Sequence, residues 1–542
     1  MPQHNDDAEG IFYLQRTNHV NETFAVSVPS NEYKHPEVQN AMKEELNKFA
    51  MFDAYEIVEN EGQETIDGRW VVTKKEAHDG LKTSFKVRWC LRGFKENNKP
   101  RSDSPTADRL SKKIFYAISA NEGWSIEAMD VTSAFLQGQE LDRELYVVPP
   151  KEANMGDCLW KMKKAVYGLY DASRRFYCEV VEFLLKCGCK TLVGDESFFY
   201  LHKNGRLHGC VNVHVDDFQL AGTAFFKKEV SDKIANRFQI SKREPETFKF
   251  TGVDIERRAD GEIILSQKTY TDAIDEITVN VEDDDARPLS KSEFKAYRGV
   301  SGKLQWLAEM SRPDISFDCL EVSCHNKDAQ IKDIKNLNKV VKKAKANESQ
   351  IRFSKLGNFE ELKVLVVTDG AYLKLEEKTK SVMGRFVLLS NMSETKVSPL
   401  SWKSKSIPTV CKSAKDAETR AADKAIEDGI YVARCIKEVY TGERGEAQIP
   451  LEVVTDSQPL VDSVNSSKQI DNKLLRPIIK FVKQLLDSRA LSSLRWCDTK
   501  VCIADMLTKK GSPLTPIAME MIRTGKMIDL SEREKIKWME QA

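Results

Sequence analysis

The sequence lacks an excess of either charge, long apolar runs, and any bias towards glycine or proline. In 542 residues, 83 lysines and arginines balance 83 aspartates and glutamates, and there are 26 glycines and 17 prolines. No apolar run approaches the roughly 18 residues of a membrane helix, and Met1 opens no charged-then-apolar signal sequence. These absences exclude a membrane protein, a disordered tail and a collagen-like fibre. At roughly 100–200 residues per domain, the length predicts three or four domains.

Cysteine is present but shows no disulfide or zinc pattern. Twelve cysteines at irregular spacing predict reduced, mostly buried thiols. Cys187-Gly-Cys189, and Cys319 with Cys324-His325, lack the complete four-ligand spacing of a zinc site. We therefore expect these residues to be structural thiols.

The neutral total conceals opposed blocks of charge. Residues 1–68 hold 4 basic against 14 acidic side chains, whereas residues 69–116 hold 13 against 5. Residues 327–345 hold 7 lysines against 2 aspartates. Because nucleic acid responds to local patches rather than to totals, zero net charge does not exclude a nucleic-acid partner.

The first basic block alternates around a glycine turn, which predicts a β-hairpin after an amphipathic helix over residues 35–52. The hairpin carries Lys82, Lys86, Arg88 and Arg92. Such a surface either contacts phosphates or is a solvated edge whose lysines discourage aggregation.

A first set of carboxylates lies at the ends of apolar strands. Asp130 ends the strand WSIEAMD, and Asp216 and Asp217 form the tip of the hairpin VNVHVDDFQLAG. Buried adjacent carboxylates are costly unless cations compensate them, so the pattern predicts two divalent ions. The alternative is an ordinary Asp-Asp turn. Phe135, five residues after Asp130, either excludes a 2′-hydroxyl from a nucleotide pocket or belongs to the core.

A second set comprises Asp369, Glu418, Asp456 and Asp505. Asp369 and Asp456 each end a strand (VLVVTD and LEVVTD), and Glu418 lies on the helix between them, in a strand–strand–strand–helix–strand order. Two strand-end acids and a helical glutamate can hold two ions about 4 Å apart, an arrangement that cleaves phosphodiesters in line.

Motifs in a fixed order extend over most of the chain. They are AMKEELNKF, GRWVVTKK, FKVRWCLRGF, MDVTSAFLQG, ELYVVPP, LWKMKKAVYGLYDASRRFY, HVDD, FTGVDI, LSQKTY, YRGVSGKLQWLAEMSRPDI, LSWKSKS, AKDAETRAA and IADMLTKKG. In order and spacing they resemble the reverse transcriptase–RNase H portion of a copia-type LTR retrotransposon Pol polyprotein, over residues 35–510. The gag zinc knuckle, protease and integrase signatures are missing, so we expect a C-terminal piece of a polyprotein or a gene fragment.

The resemblance implies an α+β and α/β multidomain fold, in which a right-hand polymerase of fingers, palm and thumb is followed by an RNase H-like domain. The expected parts are a loose segment at 1–34, fingers and palm at 35–264, a helical thumb or connection at 265–358, an RNase H-like domain at 359–512 and a helical tail at 513–542.

The resemblance also implies roles for individual residues. Asp130, Asp216 and Asp217 match the palm carboxylates. Asp369, Glu418, Asp456 and Asp505 match the RNase H acids. Each set would bind two Mg²⁺ ions, or Mn²⁺. Eight further residues match positions of the family's nucleotide and template pocket: Lys86, Arg88, Arg92, Phe135, Tyr167, Gly168, Arg174 and His214.

The implied activities are RNA-directed DNA synthesis from dNTPs and hydrolysis of the RNA strand of a hybrid. The implied partners are an RNA template, a DNA primer–template, an RNA–DNA hybrid and other products of the element, such as gag and integrase. The implied location is the cytoplasm, within virus-like particles and without a membrane.

The sequence departs from the family pattern at two places. His214 replaces the usual tyrosine before the Asp pair, and Tyr170-Asp171-Ala172-Ser173 replaces the usual Lys-Gln-Ala-Pro. These changes keep the metal ligands and bring fidelity and efficiency into question. Two alternatives stay open: a non-catalytic nucleic-acid-binding relic or domesticated copy, and a nuclease whose polymerase half is only a scaffold.

Overall fold

The computed structural model describes residues 25–75, 84–280, 282–375, 379–445, 449–467 and 472–528. Most of the predicted loose segment, Lys82 at the hairpin tip and the end of the predicted C-terminal tail lie outside these ranges.

Helices and strands alternate irregularly along the described ranges. The helices are α1 (Pro36–Met51), α2 (Arg109–Glu122), α3 (Ala172–Lys186), α4 (Ala224–Phe226), α5 (Asp232–Arg237), α6 (Lys268–Asp272), α7 (Lys291–Met310), α8 (Ser316–Cys324), α9 (Ile331–Ala346), α10 (Ala414–Thr441), α11 (Gln458–Asn465), α12 (Arg476–Asp487) and α13 (Thr515–Thr524). In the part of the chain described, none of them combines the length and apolarity that crossing a membrane requires.

The strands form five sheets within the described residues. They are β1 (Ala25–Ser27), β2 (Tyr55–Val58), β3 (Thr65–Ile66), β4 (Gly68–Lys75), β5 (Ser84–Leu91), β6 (Ser125–Val131), β7 (Tyr146–Val147), β8 (Leu159–Met162), β9 (Cys189–Leu192), β10 (Asp195–Lys203), β11 (Arg206–His214), β12 (Asp217–Gly222), β13 (Ile240–Pro245), β14 (Thr247–Phe250), β15 (Val253–Arg257), β16 (Ile263–Ser266), β17 (Gln350–Phe353), β18 (Leu362–Leu375), β19 (Lys380–Asn391), β20 (Val397–Ser406), β21 (Leu451–Thr455) and β22 (Ser493–Trp496).

The first basic block folds as the predicted hairpin. β4 and β5 pair antiparallel along their whole length, and β1 adds a third strand beside β4. Helix α1, within the predicted range, packs on this sheet because its apolar stripe meets buried valines; the contacts include Val38, Met42, Val72 and Val87. A second small sheet, in the order β2-β8-β7-β3, lies nearby in the chain.

The central sheet has six antiparallel strands in the order β13-β6-β12-β11-β10-β9. Alternate side chains of each strand enter different cores, because successive residues point to opposite faces. On β10, Phe198 and Tyr200 join the core that contains α2, whereas Phe199 and Leu201 join the core that contains α3.

Helix α2 is buried on nearly every side. The Asp108 side chain caps it by accepting a hydrogen bond from Ser111 N at 2.6 Å, and Gly123 ends it with φ of +67°. Every residue from Ser111 to Asn121 is buried, because the central sheet covers one side and β20 covers the other. The helix thus joins two sheets.

A helical segment is inserted into a four-stranded antiparallel sheet. The sheet has the order β14-β15-β16-β17, and helices α6 to α9 lie between β16 and β17 in the chain. The helices form a core of their own around Tyr297, Leu304 and Leu337. The boundary expected after residue 264 falls inside β16, and the segment expected to be helical, 265–358, also contains β17.

The C-terminal sheet has the order β20-β19-β18-β21-β22. β18, β19 and β20 are antiparallel neighbours, whereas β21 and β22 run parallel to β18. Helix α10 lies against β18. This matches the predicted strand–strand–strand–helix–strand order. The pattern did not reveal β22, which is only four residues long and too short for a clear period.

The central and C-terminal sheets share one continuous hydrophobic core through α2. Trp402 on β20 is 2% exposed and donates from Nε1 to the Ala308 carbonyl at 2.7 Å. The Tyr200 hydroxyl on β10 donates to Glu438 on α10 at 3.1 Å. The two sheets are therefore packed as one unit.

Trp402→Ala tests this shared core. We expect it to lower the free energy of unfolding by about 3–5 kcal/mol, because it leaves a large cavity. Amide hydrogen exchange should accelerate in β10 and β11 as well as in β19 and β20. Val410→Ala, at a side chain that is 82% exposed, is the control. Acceleration confined to the C-terminal sheet would mean that the two sheets open independently.

Candidate active sites

Backbone pairing brings the first three carboxylates together. Asp130 lies near the end of β6, Asp217 begins β12, and the two are direct partners in the antiparallel register. Val131 N donates to the carbonyl of Asp216 at 3.0 Å. The hairpin between β11 and β12 therefore sets Asp216 and Asp217 beside Asp130.

The turn that carries the Asp pair is strained. His214 and Asp217 are partners across the hairpin, so Val215 and Asp216 form a two-residue loop. Val215 has φ of +58°, a value that β-branched residues rarely adopt. Two-residue hairpin turns need positive φ at the first loop position, where glycine is usual. Holding valine there costs about 1–3 kcal/mol, which the surrounding sheet offsets.

The three carboxylates repel one another in a partly dry site. Burial, together with the charges of Asp216 and Asp130, raises the pKa of Asp217 to about 8, against the opposing effect of Lys86 and Lys112. Lys86, a predicted substrate-binding residue, is therefore close enough to act on this site. A divalent cation would favour the ionised form of Asp217, and carboxylates are the donors that such an ion prefers. The oxygens of the three acids do not all lie within 4.8 Å of one another.

Phe135 lies just beyond Asp130, in the 3-10 helix Ala134–Gln137. Its side chain is buried, and its ring meets the Tyr167 ring edge-on with 4.8 Å between centroids. The guanidinium carbon of Arg88 lies 4.7 Å from the Tyr167 centroid. Three residues predicted for the nucleotide pocket thus form one cluster next to the carboxylates.

Gly168 allows the hairpin to dock on this cluster. Its φ of +96° favours glycine, and a Cβ there would lie 2.0 Å from the carbonyl oxygen of Leu91. Leu91 N donates to the Tyr167 carbonyl at 2.8 Å. A larger residue would separate β5 from Tyr167, so the close approach of the two segments requires glycine at position 168.

Two predicted pocket arginines and three lysines of the segment 327–345 form ion pairs with acids. The pairs are Arg92 with Asp67 (2.8 Å), Arg174 with Asp103 (2.9 Å), Lys335 with Asp285 (2.6 Å), Lys342 with Glu276 (3.4 Å) and Lys343 with Asp318 (2.7 Å). These acids reduce the positive charge that the hairpin and the segment 327–345 present to a polyanion.

The two departures from the family pattern are packed into the fold. The His214 ring meets Phe250 edge-on, with 6.1 Å between centroids. Asp171 is buried and accepts hydrogen bonds from Arg143 at 2.7 and 3.2 Å and from Arg175 at 2.6 Å. Burial opposes its charge, but the two guanidinium groups outweigh burial and lower the pKa of Asp171. Asp171 is therefore the ionised centre of a local network.

In the C-terminal sheet, Asp369, Glu418 and Asp456 form a compact acid triad. Each offers a carboxylate oxygen within 4.8 Å of the others, and among the described residues no other three acidic, histidine or cysteine side chains do so. Asp369 lies on β18, Glu418 on α10, and Asp456 directly follows β21. The structure thus brings together three of the four predicted residues.

Gly370 lets α10 approach the triad. A Cβ at Gly370 would lie 2.6 Å from the carbonyl carbon and oxygen of Ala417. Gly370 N also donates to Glu418 Oε2 at 3.0 Å. The absence of a side chain next to Asp369 therefore allows the helix to present Glu418 at contact distance.

Burial and mutual repulsion favour the binding of a cation in the triad. Burial, followed by the charges of Asp369 and Asp456, raises the pKa of Glu418 to about 9, and burial raises the pKa of Asp369 to about 6. No donor within the described ranges satisfies the buried Oδ1 of Asp456. At neutral pH, Glu418 holds a proton that a bound cation would displace. An all-carboxylate donor set suits Mg²⁺ or Mn²⁺.

Asp505, the fourth predicted acid, lies beside the triad but outside it. One of its carboxylate oxygens accepts a hydrogen bond from Lys509, and the other accepts from Ser512 Oγ at 2.5 Å. The Thr508 hydroxyl donates to Asp369. Sequence reasoning missed these three neighbours, although the motif IADMLTKKG contains the lysine and the threonine.

Comparisons with known proteins agree with this geometry. Residues 52–288 match the family described as reverse transcriptase (RNA-dependent DNA polymerase). The retrovirus-related Pol polyprotein from transposon RE2 of Arabidopsis thaliana is 26% identical over 482 residues, which is 83% of this chain and 31% of that protein. The corresponding polyprotein from transposon RE1 is 27% identical over 424 residues, which is 74% of this chain and 28% of that protein.

A solved structure shows the same fold. The foamy viral protease-reverse transcriptase dRH in complex with double-stranded DNA is similar at a TM-score of 0.51 and 11% identity, over 85% of this chain and 70% of that chain. This likeness confirms the predicted multidomain fold of α+β and α/β parts, and it is a likeness to the fold of a reverse transcriptase. The chain is thus similar to the Pol polyproteins of retrotransposons, in agreement with the predicted resemblance, and its residues 52–288 match the reverse transcriptase family. It spans about a third of the length of the curated relatives it matches.

Gly370→Ala tests how the triad is assembled. We expect it to weaken Mn²⁺ binding at the triad by about 10- to 100-fold, because the new Cβ displaces α10 and with it Glu418. Calorimetric titration in an Asp216→Asn background reduces the contribution of the palm site. Gly299→Ala is the matched control, since a Cβ there meets nothing within 4 Å. Unchanged affinity would contradict the role of Gly370.

Proposed function

We propose that the chain is an RNA-directed DNA polymerase that also hydrolyses the RNA strand of RNA–DNA hybrids. The observation that carries this proposal is the presence of two separate carboxylate centres, one in each of the two large sheets of a single packed unit. The match of residues 52–288 to the reverse transcriptase family supports the first activity. The acid triad on an RNase H-like sheet supports the second.

At the palm, Asp130, Asp216 and Asp217 would hold two Mg²⁺ or Mn²⁺ ions. Such ions stabilise charge on the attacking and leaving oxygens of an in-line displacement. The primer 3′-oxygen would form a bond to the α-phosphorus of a dNTP, and the bond to pyrophosphate would break. The protein contributes the antiparallel register that fixes the acids and the nearby charge of Lys86.

The cluster of Phe135, Tyr167 and Arg88 would form one wall of the nucleotide pocket. Phe135 would lie against the sugar and exclude a 2′-hydroxyl by steric conflict. His214, Gly168 and the remaining predicted cations would shape the template side. Of these, Arg92 and Arg174 must exchange their present carboxylate partners for phosphates.

At the C-terminal sheet, Asp369, Glu418 and Asp456 would hold the catalytic ion, with Asp505 beside them. A metal ion at such a site lowers the pKa of a bound water and stabilises charge on the phosphodiester. Glu418 would release its proton when the ion binds, because its pKa of about 9 belongs to the protein without metal. The packing of α10 on β18 would keep these acids in place during hydrolysis.

The proposed ligands follow from these activities. They are an RNA template, a DNA primer–template, an RNA–DNA hybrid and dNTPs. The foamy viral protein of similar fold was solved with double-stranded DNA, which supports a nucleic-acid partner here. Gag and integrase products of the same element, within cytoplasmic particles, are the proposed assembly partners.

Single-acid variants separate the two activities. We expect Asp216→Asn to reduce primer extension by about 100-fold or more and to leave hybrid cleavage unchanged, and Asp369→Asn to do the reverse, because each removes a ligand from one centre only. Extension of a labelled primer on RNA with Mg²⁺ and dNTPs, and cleavage of a labelled hybrid, are the measurements. Asp260→Asn, at an exposed loop acid, is the control.

The outcomes for the unaltered chain distinguish the alternatives. If it is inert in both assays, it is a non-catalytic relic. If it cleaves hybrids without extending primers, the polymerase half is a scaffold.

Phe135→Ala tests sugar selection. We expect ribonucleotide incorporation relative to deoxynucleotide incorporation to rise by about 10- to 100-fold, because the clash with the 2′-hydroxyl is lost. Single-turnover incorporation of matched dNTP and NTP measures the ratio. Leu136→Ala alters the adjacent buried side chain and serves as the control. Unchanged discrimination would remove Phe135 from this role.

A further inference from the structure

The loop after Asp505 places a cation within the acid cluster of the C-terminal sheet. Lys509 follows Asp505 by one helical turn, and its ammonium group forms an ion pair with the Asp505 carboxylate. Thr508, its neighbour, donates a hydrogen bond to Asp369. The loop is therefore anchored to the cluster by two successive side chains.

Lys509 acts on the triad as well as on Asp505. Burial raises the pKa of Asp369 and of Glu418, and the charge of Lys509 opposes this rise. Burial disfavours its own charge, but the surrounding carboxylates, with Asp369 foremost, outweigh burial and raise the pKa of Lys509. The ammonium group therefore lies within electrostatic reach of the whole cluster.

The geometry of the acids suits a single ion. Oxygen ligands of one Mg²⁺ ion lie about 2.1 Å from it, hence up to about 4.2 Å from each other. The oxygens of Asp369, Glu418 and Asp456 fall within 4.8 Å, close to this span. Asp505 is not part of the set, and each of its carboxylate oxygens accepts a hydrogen bond from the protein.

We propose that this centre binds one divalent ion, in the triad, and that the Lys509 ammonium group occupies the place of a second ion at Asp505. Lys509 is then a positioning residue that neutralises Asp505 and faces the phosphodiester of the substrate. The inference rests on the proposed hydrolytic function and deepens it. It replaces the expectation of two ions at this site.

Counting bound Mn²⁺ tests the proposal directly. The protein carries Asp216→Asn and Asp217→Asn to silence the palm, and is saturated with an RNA–DNA hybrid whose RNA strand is 2′-O-methylated against cleavage. Free Mn²⁺ is followed by electron paramagnetic resonance. The number of ions at the C-terminal centre is the difference between this protein and the same protein with Asp369→Asn.

We expect this difference to be one ion with Lys509 present and two with Lys509→Gln, because removing the ammonium group opens the place beside Asp505. Lys509→Arg keeps the positive charge and should stay at one. Lys510→Gln, the matched control, removes an equal charge from a lysine that pairs with Glu321 at 2.6 Å, and should also stay at one.

Two ions, or none, in the protein with Lys509 would overturn the proposal, as would a count that stays at one in Lys509→Gln. Cleavage of an unmodified hybrid is measured in parallel, with the palm variants in place. Failure to cleave while one ion is bound would count against the proposed function and not against the ion count, so the two failures are distinguishable.

Discussion

The main constraint on this structure is that carboxylates lie close together at positions that are largely buried from water. In the central sheet the antiparallel register places the acids side by side. In the C-terminal sheet the close approach of α10 to β18 brings Glu418 to Asp369. The result is visible in the pKa values of Asp217 and Glu418, which rise to about 8 and about 9. Groups that are normally charged at neutral pH are held close to neutrality until a cation compensates them. The strained turn at Val215 and the bare backbone at Gly370 both serve this closeness.

Much of this could be predicted from local pattern. Alternating apolar residues located the hairpin of β4 and β5, and two VVTD segments located Asp369 and Asp456 directly after apolar runs. Asp456 follows β21 as predicted, whereas the prediction that Asp369 ends its strand was wrong, because β18 continues to Leu375. The two acids still lie close together, because β18 and β21 pair in parallel up to Thr368 and Thr455. Local pattern is sufficient where the partners of a residue follow from strand order.

The remainder depended on contacts between distant segments. Arg92, a predicted pocket residue, forms an ion pair with Asp67 at 2.8 Å, and no local sequence pattern indicates this pair. Gly384 is a similar case. A Cβ there would lie 2.7 Å from the Thr508 side chain, which explains why the residue paired with Asp369 is glycine. The sequence alone does not show this contact, because Thr508 is far from Gly384 in the chain. The position of Lys509 among the acids likewise depends on how a late loop returns to β18.

The insertion of four helices between β16 and β17 has a consequence for the order in which the chain acquires structure. Ile263 pairs with Phe353, about ninety residues later, and loop-closure entropy grows only slowly with such a separation. During synthesis, β14 to β16 form before their last partner exists, so one strand edge stays open until the helices have emerged from the ribosome. Helices that fold early shorten the distance the chain must close. The inserted segment thus postpones the completion of this sheet, and its folding also brings β17 close to β16.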